Sequence, residues 1–141
     1  MKALIMAVLL YGWSLPATAD PAILVENAWV REAPPGAQMM SAYMTLKNTG
    51  PDDIVLASVE SPAFTMVMLH KSEIVDGIAR MSHQDELLIP AGGSVELKPG
   101  SFHLMMPAPD ERLRSGDRVE FNLIFADGST TRVQADVIKK P

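Results

Sequence analysis

The chain has 141 residues, 17 acidic against 12 basic for a formal net charge of −5, and no cysteine. That balance argues against a nucleic-acid partner, which wants a basic face, and the lack of thiols excludes disulfide staples. The length suits one domain whose core must hold by packing alone.

Met1-Lys2 precede an apolar run from Ala3 to Leu15, which ends in Pro16-Ala17-Thr18-Ala19-Asp20. One basic residue, a short apolar segment and an A-x-A ending predict a secretory signal over residues 1–19, cleaved after Ala19. The run falls short of the roughly 20 residues of a spanning helix, so the mature domain, 20–141, is expected to have no membrane span. From Asp20 onward, strands are predicted at Ile23–Val30, Ser41–Lys47, Ile54–Val59, Met66–Ile74, Ile78–Met81, Ser94–Leu97, Phe102–Met106, Val119–Phe125 and Thr131–Val137. Turn clusters separate them, among them Pro34-Pro35-Gly36, Asn48-Thr49-Gly50, Asp76-Gly77, Pro90-Ala91-Gly92-Gly93, Pro99-Gly100 and Asp127-Gly128. Short strands punctuated this regularly predict a single all-β sandwich or barrel. No internal repeat or linker divides it.

Two hairpins are predicted around two-residue Asp-Gly turns, at Asp76-Gly77 and Asp127-Gly128. Asp-Gly favours the type I′ turn, which fixes register. Counting outward from Asp76-Gly77 sets Val75 opposite Ile78, Ile74 opposite Ala79, Glu73 opposite Arg80, Ser72 opposite Met81 and His70 opposite His83. The unlike charges of Glu73 and Arg80 suit that register. Side chains recur on one face every second residue, so His70, Ser72, Met81 and His83 share a face. Met81 then lies diagonally from His70, at roughly 7–8 Å between backbones. The same parity sets His103 and Met105 on one face of their own strand and turns Met106 toward the core.

Two imidazoles and two thioethers in a cysteine-free chain point to copper, and more particularly to Cu(I). Thioether sulfur is a soft ligand that suits Cu(I) and holds hard cations poorly, while imidazole serves several transition metals. Each residue alone has an ordinary reading: a surface or hydrogen-bonded histidine, a core-filling methionine. The four gain weight as two same-face pairs. His83 shares the face and is read as an exposed neighbour, with an alternative or transient ligand role, for instance toward Cu(II), as the lesser reading. Met66 and Met68 alternate onto the face of His70, either as an auxiliary thioether patch or as strand packing. Met39, Met40 and Met44 are assigned to packing rather than to a shield over the site.

The spacing of His70, Met81, His103 and Met105, with ten, twenty-one and one residues between them, resembles the signature of the PCuAC-type periplasmic copper chaperones. Pro90 to Gly100, His103-Leu104-Met105-Met106, Ala28-Trp29-Val30-Arg31 with Pro34-Pro35-Gly36, Tyr43 and Asn48 are similar to that family too. The resemblance runs from about residue 23 to residue 137. It implies a cupredoxin-like Greek-key β-barrel and a surface site for one Cu(I) per chain, with His70, Met81, His103 and Met105 as ligands. It further implies copper delivery in the periplasm, with the copper subunit of cytochrome c oxidase, a Sco-type thiol protein, or both as partners. The chain departs from many relatives at Pro107-Ala108-Pro109-Asp110, where they carry a glycine-containing loop. It stops at Pro141 without the histidine- and methionine-rich tail some members use for a second copper, hence the expectation of one site.

Other classes fare worse. A blue-copper electron carrier needs a cysteine thiolate, and the chain has none. No G-x-S-x-G or comparable setting surrounds its serines and histidines, and Asp52-Asp53 and Asp110-Glu111 read as solvated turns, so no enzyme is expected. A copper buffer without a dedicated client would use the same ligands as a carrier. A metal-free interaction module would tolerate alanine at all four ligand positions.

Overall fold

Apolar residues at every second position give this chain strands that are buried on one side. Residues Arg118–Phe125 show it most plainly, with Val119, Phe121, Leu123 and Phe125 buried and the residues between them not. The computed structural model describes residues 22–140, and the predicted signal over 1–19 lies outside them. The described residues form ten strands and no helix: β1 Ile23–Arg31, β2 Met39–Asn48, β3 Ile54–Glu60, β4 Met68–Val75, β5 Ile78–His83, β6 Leu87–Ile89, β7 Ser94–Leu97, β8 Phe102–Pro107, β9 Arg118–Phe125 and β10 Thr130–Ile138.

The strands hydrogen-bond in the order β5-β4-β8-β2-β1-β10-β9-β3-β6. Every pair is antiparallel except β1 with β10. A bridge between Val59 of β3 and Val67, just ahead of β4, links strands that lie one in from either end of that path. The sheet thus curls into the single-domain all-β barrel expected from the sequence. On the edge away from β1, β2 serves two partners: Met39–Ala42 pair with β8, and Met44–Lys47 pair with β7. Its alternate residues Met40, Ala42, Met44 and Leu46 enter a core shared with Leu56, Phe121, Leu104 and Met106. Met40 and Met44 therefore pack, as expected, and Met106 points inward away from Met105.

The Asp76-Gly77 turn has positive φ at both residues, 52° and 75°, as a type I′ turn demands. The register it sets is the one counted from the sequence, from Val75↔Ile78 through to His70↔His83. One supporting detail differs. Glu73 faces Arg80 across the strands but its ion pair is with Lys71 on its own strand, at 3.3 Å, both ends being well exposed and the pair weakly stabilising.

The second hairpin corrects its expectation. Asp127 has no positive φ, and only Gly128 does, at 85°. Gly128 N–H donates to Phe125 O at 2.9 Å and Phe125 N–H donates to Ser129 O at 2.9 Å, the three-residue loop with a glycine bulge rather than a type I′ turn. The Asp127 carboxylate accepts from Ser129 N–H at 2.8 Å and from its hydroxyl at 2.6 Å. Those bonds hold its carboxyl below the ordinary value of 3.8 and favour the loop over the tighter turn. β6 was not expected. Its three residues precede Pro90 and are too few to show a period in the sequence, although Leu87 and Ile89 are buried and Leu88 is exposed. The strand predicted from Met66 begins at Met68, because at the barrel closure only Val67 meets β3.

Asn48 closes β2 from within the core, where it is 2 % exposed. Its amide donates to Asp52 O at 2.7 Å and Ile89 O at 3.0 Å, and its Oδ1 accepts from Gly50 N–H at 3.0 Å. Removing the amide leaves buried backbone groups without partners, so Asn48→Ala is expected to destabilise the fold by about 2–3 kcal/mol in urea unfolding. A change below about 0.5 kcal/mol would mean that water replaces the side chain without loss.

Candidate metal centre

Long-range pairing completes what local register begins. β4 lies between β5 and β8, so His70 faces His83 on one side and His103 on the other. The His70 ring centroid is 5.6 Å from that of His83 and 5.9 Å from that of His103, both edge-on, at 89° and 80°. One step along the strands, Met68 faces Met105; one step the other way, Ser72 faces Met81. His70, Met81, His103 and Met105 therefore occupy one face of three adjacent strands. The fold brings the two predicted pairs together by setting His70 directly opposite His103.

Exposure falls along this row from the edge strand inward. Met81 is 53 % exposed, Met105 and His70 are partly buried, and His103 is 4 % exposed. The Ser101 carbonyl fixes His103. It accepts from Ser72 N–H at 3.0 Å and lies 3.0 Å from His103 Nδ1. A carbonyl can only accept, so Nδ1 carries the proton and Nε2 presents a lone pair. That nitrogen is buried and has no partner, and neither has buried Nδ1 of His70. Only one other buried side-chain nitrogen or oxygen among the described residues, Arg31 Nε, is left so. Buried polar atoms are ordinarily paired, and two unpaired imidazole nitrogens in cross-strand neighbours make a donor pair awaiting an acceptor. A backbone carbonyl orienting the ring from its far nitrogen is the usual support of a metal-binding histidine.

Electrostatics favour the neutral form of His70. Burial lowers the pKa of His70 below its ordinary 6.5, and the neighbouring imidazoles of His103 and His83 lower it further. Among the described residues no group of three or more His, Cys, Asp or Glu side chains is arranged to hold a metal. The same face also presents the thioethers of Met81 and Met105, donors that suit a soft ion.

The remaining candidates separate. His83 lies at the edge with its side chain 57 % exposed, its Nε2 3.5 Å from Asp85 Oδ1. Met68 stands closer to the site than the sequence suggested, opposite Met105 itself, whereas Met66 is exposed before the strand begins. Met39 is exposed on β2, opposite Pro107. The segment after β8 is tied to the entry of β2, Ala108 N–H donating to Gln38 O at 2.8 Å. Arg112 Nη2 donates to Ala33 O at 3.3 Å, so the Pro34-Pro35-Gly36 loop meets the post-β8 segment. Ser101 was missed altogether. Its contribution is a backbone carbonyl, which has no residue-type signal.

The fold and this face define a class, a small all-β barrel with two imidazoles and two thioethers on one side, and comparison with known proteins narrows it. Residues 23–137 match the family model described as "Putative lipoprotein LpqE-like", and the chain belongs to this family, which is related to the PCuAC-type proteins. It is 30 % identical to "Putative lipoprotein Lxx21020" of Leifsonia xyli subsp. xyli, over 97 % of this chain and 89 % of that protein. It is 33 % identical to the Cu(I) form of DR1885 from Deinococcus radiodurans, with a TM-score of 0.68 over 88 % of this chain and 83 % of that one. The copper-bound PCuAC domain from PmoF2 shares the fold, with a TM-score of 0.70 at 22 % identity over 85 % of this chain and 95 % of that one.

The assignment of the His103 tautomer can be checked directly. In ¹⁵N-labelled metal-free protein at neutral pH, His103 is expected to show a protonated Nδ1 and an unprotonated Nε2. The opposite tautomer would break the bond to Ser101 and with it the aim of the ring.

Proposed function

We propose that this protein is an exported carrier of Cu(I), holding one ion through His70, Met81, His103 and Met105. The observation that carries the reading is the pair of buried, unpartnered imidazole nitrogens on the face that also presents both thioethers. Soft neutral donors without any thiolate select Cu(I) over hard cations. The Cu(I) form of DR1885, one third identical, adds support. Relatives named as lipoproteins favour export, in keeping with the predicted signal at 1–19 and a place in the periplasm.

Neutral ligands leave the bound ion its single positive charge, so the site holds copper less tenaciously than thiolates would. One flank is deeply set at His103 while Met81 is exposed. A partner's own donors can thus reach the ion before His103 lets go, and copper passes by ligand exchange rather than through water. That open flank favours a carrier over a buffer. The copper subunit of cytochrome c oxidase and a Sco-type thiol protein are the proposed partners. Thiolates in either would be stronger donors than thioether and would draw the ion onward.

An anaerobic Cu(I) competition titration is expected to give one equivalent for the wild type and affinity weakened by about tenfold or more in each of His70→Ala, Met81→Ala, His103→Ala and Met105→Ala. Unchanged binding in any one removes that residue from the site.

Acid should also weaken binding, because an imidazole must be neutral to bind. Since His70 resists protonation more than a free imidazole does, its competition with protons should begin below pH 6.5 rather than at it. Affinity measured from pH 8 downward is thus expected to fall on the acid side, and a flat profile to pH 5 would show that the histidines are not ligands.

A further inference from the structure

The chain has three histidines, and the fold sets all of them in one row across β5, β4 and β8. Proposed Cu(I) binding uses only the inner two. His83 has no place in the core, and its nearest charged neighbour, Asp85, is itself 98 % exposed. At 3.5 Å that contact lies beyond ordinary hydrogen-bond distance and leaves the ring free to turn. The rings of His83 and His70 are already neighbours, with centroids 5.6 Å apart. As they stand the three do not converge on one point, but turning an exposed side chain about its own bonds requires no movement of the barrel.

The two thioethers lie on opposite sides of this row, Met81 one step along the strands toward Ser72 and Met105 one step toward Met68. The face therefore presents two donor sets that share His70 and His103. One is completed by sulfur at the flanks, the other by a third imidazole in the row. Copper's two oxidation states divide along that line. Cu(I) accepts thioethers, whereas Cu(II) favours nitrogen and oxygen donors in a tetragonal arrangement and binds imidazole more strongly than the other common divalent ions do.

We propose that this face also binds Cu(II), through His70, His103 and His83, with His83 taking the role that Met81 and Met105 have for Cu(I). The inference rests on the reading of His70 and His103 as copper ligands. It concerns two ways of loading one site, with no electron transfer required. Water or the Asp85 carboxylate, close to the His83 ring, completes the coordination with oxygen. The chain would then accept copper in whichever oxidation state it is supplied.

The test uses the mature protein and Cu(II) alone, in a non-coordinating buffer without reductant, followed by electron paramagnetic resonance and competition titration. The wild type is expected to bind one Cu(II) with a tetragonal spectrum showing three nitrogen donors. His83→Ala should lose one nitrogen and weaken Cu(II) by roughly tenfold, while its anaerobic Cu(I) affinity changes by less than about threefold. Met81→Ala should do the reverse. Circular dichroism on each variant verifies the fold, and the exposed position of His83 makes loss of folding there a minor concern. An unchanged Cu(II) spectrum and affinity in His83→Ala would overturn the proposal, as would equal losses of Cu(I) and Cu(II), which would make His83 a ligand to both. Failure of the reading on which this rests shows separately, as wild-type Cu(I) binding that neither His70→Ala nor His103→Ala alters.

Discussion

Pairing of β4 with β8 is the constraint on which the site depends. Each strand carries its donors on one face by parity alone, but only their antiparallel alignment sets His70 opposite His103 and Met68 opposite Met105. The Ser101 carbonyl serves both purposes at once. By accepting from Ser72 N–H it locks the alignment, and by accepting from His103 Nδ1 it aims the ring. A slip of one residue between these strands would turn one donor pair to the opposite side of the sheet. Register and the placement of the four side chains are therefore one specification.

Position in the sheet then grades the donors. β5 ends the hydrogen-bonded path, and all six of its residues are exposed. β8, three strands in, is backed by β2 and β1, whose Tyr43 and Trp29 rings lie 4.6 Å apart on the side of His103 away from His70. That wall explains why His103 is buried while Met81, on the edge, meets solvent. Burial has a cost, since an imidazole nitrogen without a partner forgoes the hydrogen bond it had in water. In His70 the same burial suppresses protonation. The face keeps two imidazole nitrogens unpaired at some expense of stability.

How much of this was legible in the sequence depended on the range of the interaction. The β4-β5 register followed from Asp76-Gly77 because a two-residue turn that requires positive φ twice leaves one way to pair the strands. The fold class followed from strand spacing and turn residues. Asp127-Gly128, with the same two letters, gave a different loop because the Asp127 carboxylate is engaged by Ser129, a competition that the dipeptide does not announce. β6 was too short to show a period. Nothing local could indicate that β4 meets β8 rather than another strand. The family resemblance supplied the expectation that the four residues form one site, and the pairing gives the physical means.

His83 follows from the same logic. A two-residue turn that positions Met81 for His70 necessarily positions residue 83 on the same face, directly across from residue 70, so some side chain had to stand there. A bulky apolar residue would have covered the row, and a cation would have repelled the incoming ion. A histidine beside an acidic residue leaves the entrance neutral or negative and adds a nitrogen donor where the barrel is most exposed. The edge strand thus presents sulfur and nitrogen in alternate positions to solvent, while the two inner strands carry the more buried imidazoles of His70 and His103. Two imidazoles set face to face on the inner strands and an edge open to solvent are the arrangement that the proposed ligand exchange would use.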